Sequence, residues 1–270
     1  MSPPRKEQKS QIYFSRIYRH LLPNRVERWI FLLGGVLPTI LLFLLFYSKI
    51  TYMLAVWANQ VFSLISPKNS LGIGYEEFIP IFGGVYYVIL PNKMPIFSEL
   101  VINVVVTLLL LFILYLLYKK NTGSTSLIIY FNIILLIHLI SCIFFIFAEA
   151  YFPYSATVYS ELYIKQQIGI WLSIMILAGV IIGILGYGSI LVRFSFFLGI
   201  VGYSLVYGFV RYITFMFIIS KGSNLYMATL FFSLGPLFDF LYLVGFYGIY
   251  IYSLVNYFNQ GKGRLKWLWL

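Results

Sequence analysis

The sequence predicts an all-α polytopic membrane protein with about six transmembrane helices, an amphipathic interfacial helix and a small extracytoplasmic loop region. Three observations carry that class. Hydrophobic residues make up 61% of the chain and charged residues only 10%, against roughly 45–50% and about 25% in ordinary soluble domains. Six apolar stretches approach or exceed the ~20 residues that cross a hydrocarbon core about 30 Å thick. The basic residues crowd into both ends and alternate connections, as the positive-inside rule expects. The same composition excludes a disordered chain, and a single cysteine excludes a disulfide scaffold or a Cys-rich zinc site.

Residues 1–28 read as a basic cytoplasmic arm. Arg5, Lys6, Lys9, Arg16, Arg19, Arg25 and Arg28 face only Glu7 and Glu27. If the arm is helical, Phe14, Ile17 and Leu21 share one side and Pro23 ends the helix. That suits a helix lying on anionic lipid headgroups; a solvated tail that only sets orientation is the alternative. No small-residue cleavage site follows, so the arm is not read as a signal peptide.

Residues 29–257 read as a six-helix membrane domain. Its spans are expected over 29–47, 97–118, 126–147, 167–190, 194–219 and 225–257, with Gly235-Pro236 as a kink in the last. An outer loop, residues 48–96, is inserted after the first helix. Ile50, Leu54, Trp57, Val61 and Leu64 recur at helical spacing, which predicts an amphipathic helix along the outer interface. Ser66–Ser70 reads as a turn. Apolar runs at 78–82 and 85–90 around Gly83-Gly84 suggest a small hairpin, with Pro80 confining the first run to an edge; a re-entrant loop is the other reading.

A second outer loop is expected over 148–166, with Tyr151, Tyr154, Tyr159 and Tyr163 beside Glu149 and Glu161. Tyrosines of this kind form an interfacial aromatic belt. A platform for a sugar or lipid headgroup is the sharper reading, with Glu149, Tyr154, Tyr159 and Glu161 as its candidates. Residues 258–270 form a basic, tryptophan-bearing cytoplasmic tail, in which Lys262, Arg264, Lys266, Trp267 and Trp269 anchor to inner headgroups. Thirteen of the 19 Lys and Arg residues then lie inside and five outside, with Arg211 in a span. Both termini are therefore expected in the cytoplasm, the protein in the plasma (inner) membrane. The net charge of +11 reflects topology and lipid, not nucleic acid.

Polar groups in hydrocarbon need a partner or a purpose. His138, Arg211 and Asp239 stand within spans three, five and six and are the intramembrane binding candidates. Arg211 and Asp239 sit on consecutive antiparallel helices at depths that differ by roughly 9 Å at about 1.5 Å per residue, within partial reach of an arginine. They form either a register-fixing ion pair or the wall of a polar cavity. Cys142 reads as an inert core thiol. A Cys–Arg–His transpeptidase arrangement of the exosortase and archaeosortase kind fails on order, because His138 precedes Cys142 and no histidine follows Arg211. Phosphate loops, His-Glu-x-x-His and Gly-x-Ser-x-Gly motifs are missing. No cofactor or metal site is expected.

Gly179-x-x-x-Gly183, with Gly186 and Gly188, then Gly199, Gly202, Gly208, Gly245 and Gly248, mark faces where helices approach closely. They build the internal bundle or meet a protein partner. The functional expectation is a non-enzymatic scaffold, export or assembly component. The alternatives are a small-molecule or ion transporter using His138, Arg211 and Asp239, or an intramembrane enzyme acting on lipid or lipid-linked sugar.

Overall fold

The computed structural model describes residues 25–65, 71–120, 125–185, 189–233 and 236–259. The arm to residue 24, the expected turn over 66–70, Gly186, Gly188 and Gly235, and the tail from 260 lie outside them. Among the described residues five helices are long and apolar enough to cross a membrane: Val26–Leu64, Phe97–Lys119, Thr125–Tyr151, Ala156–Gly183 and Ile190–Lys221. Their surfaces carry exposed side chains such as Leu41, Leu45, Val105, Phe112, Ile140 and Val206. Soluble monomers rarely expose apolar patches beyond a few hundred Å². The helices are compatible with an integral membrane protein.

Helix α1 runs in three stretches: Arg25–Phe31, a π-helical segment Leu32–Val36, and Leu37–Ile65. The π segment contains Gly34-Gly35, and Thr39 Oγ1 donates to the Gly35 carbonyl at 2.8 Å. The boundary expected at Tyr47 is absent. Nothing between Tyr47 and Ile65 breaks a helix, so the expected interfacial helix continues α1 rather than turning aside. Its buried side also differs from the expected one. Thr51, Leu54, Ala55, Ala58 and Phe62 are buried, whereas Trp57 and Leu64 are exposed. On that side Thr51 accepts from the Tyr86 amide at 3.3 Å and Phe62 stacks on Phe217 at 6.2 Å.

That hairpin pairs β1 (Ile73–Ile79) with β2 (Gly83–Val88), antiparallel and two-stranded. β1 lies earlier than the expected 78–82 run. Pro80 instead occupies the turn, closed by Phe82 N–H donating to Ile79 O at 2.9 Å. Gly83 takes φ +102°, a region that costs a glycine little. A two-stranded ribbon is marginal alone, and helix side chains hold this one. Tyr47 OH donates to Gly83 O at 2.5 Å, and the amides of Tyr86 and Val88 donate to Thr51 Oγ1 (3.3 Å) and Tyr212 OH (2.9 Å). Tyr212 OH also pairs with Ser160 Oγ at 2.7 Å. Tyr212→Phe is therefore expected to cost about 1–3 kcal/mol, because the fully buried Val88 amide loses its acceptor. Hydrogen exchange should find that amide less protected while helix amides change little.

Helices α2 (Phe97–Lys119) and α3 (Thr125–Ala148) form an antiparallel pair. A 3₁₀ turn, Glu149–Tyr151, and Pro153 end α3. Helix α4 spans Ala156–Leu185 and α5 spans Ile190–Lys221. α4 starts eleven residues before the expected Gln167, because Ser155 caps it (Val158 N–H to Ser155 Oγ, 3.2 Å) and nothing after it interrupts the helix. The expected second outer loop thus shrinks, and Tyr159, Glu161 and Tyr163 lie on α4.

The expected sixth span is divided. A 3₁₀ turn Asn224–Tyr226 leads to a short helix α6 (Met227–Ser233), and α7 (Pro236–Asn259) opens on its proline. Proline suits a first helical position, where its missing N–H would have no partner. α7 is 24 residues long, and Leu241–Ser253 within it is apolar.

The chain forms two compact units. One comprises Met1–Phe43, Leu172–Tyr203 and Leu243–Leu270. In it Arg193, almost fully buried, pairs with Glu27 at 3.1 Å, Phe31 meets Phe197 edge-on at 6.1 Å, and Gly179 and Gly183 lie against Val36 and Leu32. The Gly-x-x-x-Gly motif thus serves internal packing. The other unit, Leu44–Trp171 and Ser204–Tyr242, contains the hairpin, the α2–α3 pair and every polar candidate named above.

Candidate functional site

Helix α4 presents Tyr159, Tyr163, Gln167 and Trp171 at four-residue steps, so all four share one face. Opposite them α5 carries Ser204, Tyr207, Gly208 and Arg211. Trp171 Nε1 donates to Ser204 O at 3.0 Å. A Cβ on Gly208 would stand 2.8 Å from both Gln167 and Trp171, so the glycine is what lets Gln167 reach across.

Arg211 is the centre of this arrangement. Its Nη1 donates to Asp239 Oδ2 at 2.7 Å, and its Nη2 donates to Gln167 Oε1. The guanidinium carbon lies 5.8 Å from the Tyr163 ring centroid and 5.5 Å from that of Tyr207, with Arg211 and Asp239 4% and 6% exposed. Arginine suits such a place: its planar fork bonds two acceptors while its faces meet aromatic rings. Asp239 falls in the first turn of α7, where the helix dipole favours a carboxylate. Tyr242, one turn on, shares a 2.7 Å hydrogen bond with Ser204 Oγ. Beside the ion pair, the buried Tyr159 OH and Gln167 Nε2 have no hydrogen-bond partner among the described residues.

His138 belongs to a different network. Its Nε2 meets Asn103 Oδ1 at 3.2 Å and its Nδ1 meets Thr229 Oγ1 at 3.1 Å. Asn103 Nδ2 donates to Glu99 O (2.8 Å), which leaves Oδ1 to accept from His138 and from Tyr226 OH (3.2 Å). That assigns the imidazole proton to Nε2 and makes Nδ1 the acceptor of the Thr229 hydroxyl. The Tyr226 ring stacks on the imidazole at 5.5 Å. Nearby, Ser141 Oγ donates to Leu225 O (2.9 Å) and Ser223 Oγ to Glu99 Oε1 (2.6 Å). Asn92 Oδ1 accepts from Asn224 Nδ2 and from the Ala156 amide. The chain between α5 and α6 is thereby tied to α2, to α3 and to the start of α4. Cys142 is fully buried and packs with Leu100, Phe145 and Leu225.

The structure thus joins Arg211 to Asp239, and among the described residues no contact links His138 to either. The outer candidates do not converge. Glu149 and Tyr154 are exposed, Glu161 is paired with Lys165 at 2.5 Å, and Tyr159 is buried on α4. Sequence reasoning missed Gln167, Tyr163 and Tyr207 around Arg211, and Asn103 and Thr229 around His138. The recurrence of Tyr159, Tyr163, Gln167 and Trp171 at four-residue intervals, all with hydrogen-bonding groups, was the readable signal.

No protein-family model, no curated protein and no solved structure matches this chain.

Proposed function

We propose that this chain is a non-enzymatic component of a membrane assembly, a scaffold or export subunit, in the plasma (inner) membrane with its basic arm and tail in the cytoplasm. The observation that carries this reading is that the three intramembrane candidates, His138, Arg211 and Asp239, are all bonded within the chain. Arg211 meets Asp239 and Gln167, and both ring nitrogens of His138 meet Asn103 and Thr229. Such groups hold helices in register and leave recognition to the surface. Purification in mild detergent should yield a complex of fixed stoichiometry. A protein that remains solitary from extraction to gel filtration overturns the reading, and reporter fusions at the two ends test the orientation.

Tyr159 OH and Gln167 Nε2 favour a second reading, a transporter of a small solute. Orphan polar atoms beside a broken helix are where carriers bind. That reading expects proteoliposome flux that Asp239→Asn abolishes with melting temperature retained. The absence of flux in wild-type vesicles removes it.

A further inference from the structure

In an antiparallel pair, residues alternate between those that exchange hydrogen bonds with the partner strand and those whose amides point away. Ile89 N–H donates to Gly72 O at 2.8 Å, and the register Ile73↔Val88 continues from it. Gly74 with Tyr87, and Glu76 with Val85, therefore bond across the ribbon. The amides of Tyr86 and Val88 on β2 point outward, as do those of Ile73, Tyr75 and Glu77 on β1. On β2 the outward amides are taken by the Thr51 and Tyr212 hydroxyls. That edge is closed by helices. Among the described residues β1 has a strand on one side only, and its middle, Tyr75-Glu76-Glu77, is exposed.

We propose that the outer edge of β1 receives an extended segment of a partner protein as a third strand, and that the segment carries adjacent Lys or Arg residues. An open edge is a template for strand addition. Glu76 and Glu77 project to opposite faces, so a consecutive basic pair answers both. A second copy of this chain fits poorly, because antiparallel pairing of β1 with itself sets carboxylates against carboxylates. The inference rests on the scaffold reading and gives its partner a chemistry.

The test uses the full chain in detergent at low salt. The probe is an acetylated, amidated eight-residue peptide of Thr and Val with a central Lys-Arg pair. Wild type should bind it. Glu76→Lys with Glu77→Lys should weaken binding about tenfold, the combined worth of two reversed exposed pairs. Tyr75→Pro should weaken it at least as much, since Tyr75 N–H points at the incoming strand and not at β2; protection of the Val88 amide reports that the hairpin is intact. Methylating the peptide's alternate amides should abolish binding to unaltered protein. The proposal is overturned by no binding to wild type, or by binding indifferent to Tyr75→Pro and to amide methylation. It is also overturned by self-association that Tyr75→Pro removes, which would give the edge to a second copy. Failure of the peptide beside an intact purified complex rejects the edge alone. Peptide binding by a solitary protein rejects the scaffold alone.

Discussion

Replacing Asp239 with alanine is expected to destabilise the protein by about 3–5 kcal/mol, the largest loss of any single substitution among its polar groups. The reason is the charge left behind. Arg211 is 4% exposed, and a buried cation without its counter-ion costs far more than one broken hydrogen bond. Side-chain hydrogen bonds between membrane helices average only about 0.6 kcal/mol, so the loss of Thr229 is a minor event by comparison, and the charge-assisted bond from Arg211 to Gln167 falls between the two. Arg211→Ala should cost less than Asp239→Ala, because a lone carboxylate can take up a proton and an arginine cannot give one up. Replacing both residues by Met should recover much of the loss, since the desolvation penalty of the pair disappears with it. Thermal unfolding in mild detergent measures all four proteins. A double-variant loss equal to the sum of the two single losses would show that the site does not act as an ion pair. Arg211→Lys should fail to rescue, because an ammonium cannot bond Asp239 and Gln167 with a planar fork between two tyrosine rings.

What the sequence revealed of this site was the pair of charges. An arginine and an aspartate in apolar runs are visible to any reader, and consecutive helices made them neighbours. Gln167 was hidden because it stands where hydropathy begins to rise, and so looked like the edge of a span. Its role depends on Gly208, a close approach between two helices that composition does not encode. His138 was legible as a group needing a partner, but Asn103 and Thr229 come from helices 35 and 91 residues away.

At the level of fold, the helical apolar class and five long helices follow directly from composition and run length. Boundaries failed where polarity and helix propensity disagree. Ser48 to Gln60 and Ala156 to Gln166 are polar enough to read as loops, yet neither holds a glycine or proline after its start. Helix formation continues through both, and side chains adapt by facing the hairpin or the bundle. The sixth stretch failed in the other direction. It is apolar throughout, but Asn92 and Lys93 draw Asn224 away, and Pro236 starts a new helix.

Glycine offers a sharper test, because one substitution should act with opposite signs at two positions. Gly179 and Gly199 belong to the same unit, and both looked like small-residue contacts in sequence. A Cβ on Gly179 would stand 2.5 Å from Val36 Cγ1, whereas one on Gly199 meets nothing within 4 Å. Val36 cannot swing aside: its branched Cβ holds one rotamer in a helix, and it sits 6% exposed at the end of the π segment. Gly179→Ala must therefore push two backbones apart, at about 1–3 kcal/mol. Gly199→Ala adds only helix propensity and should stabilise by up to about 1 kcal/mol. Val36→Ala alone should destabilise by loss of packing. Combined with Gly179→Ala it should cost less than the two single losses together, because the new methyl fills the space the valine gives up. Additive losses would mean that Gly179 does not pack on Val36. A Gly199→Ala variant that keeps its melting temperature but leaves its complex would transfer that glycine from the lipid-facing surface to a partner's.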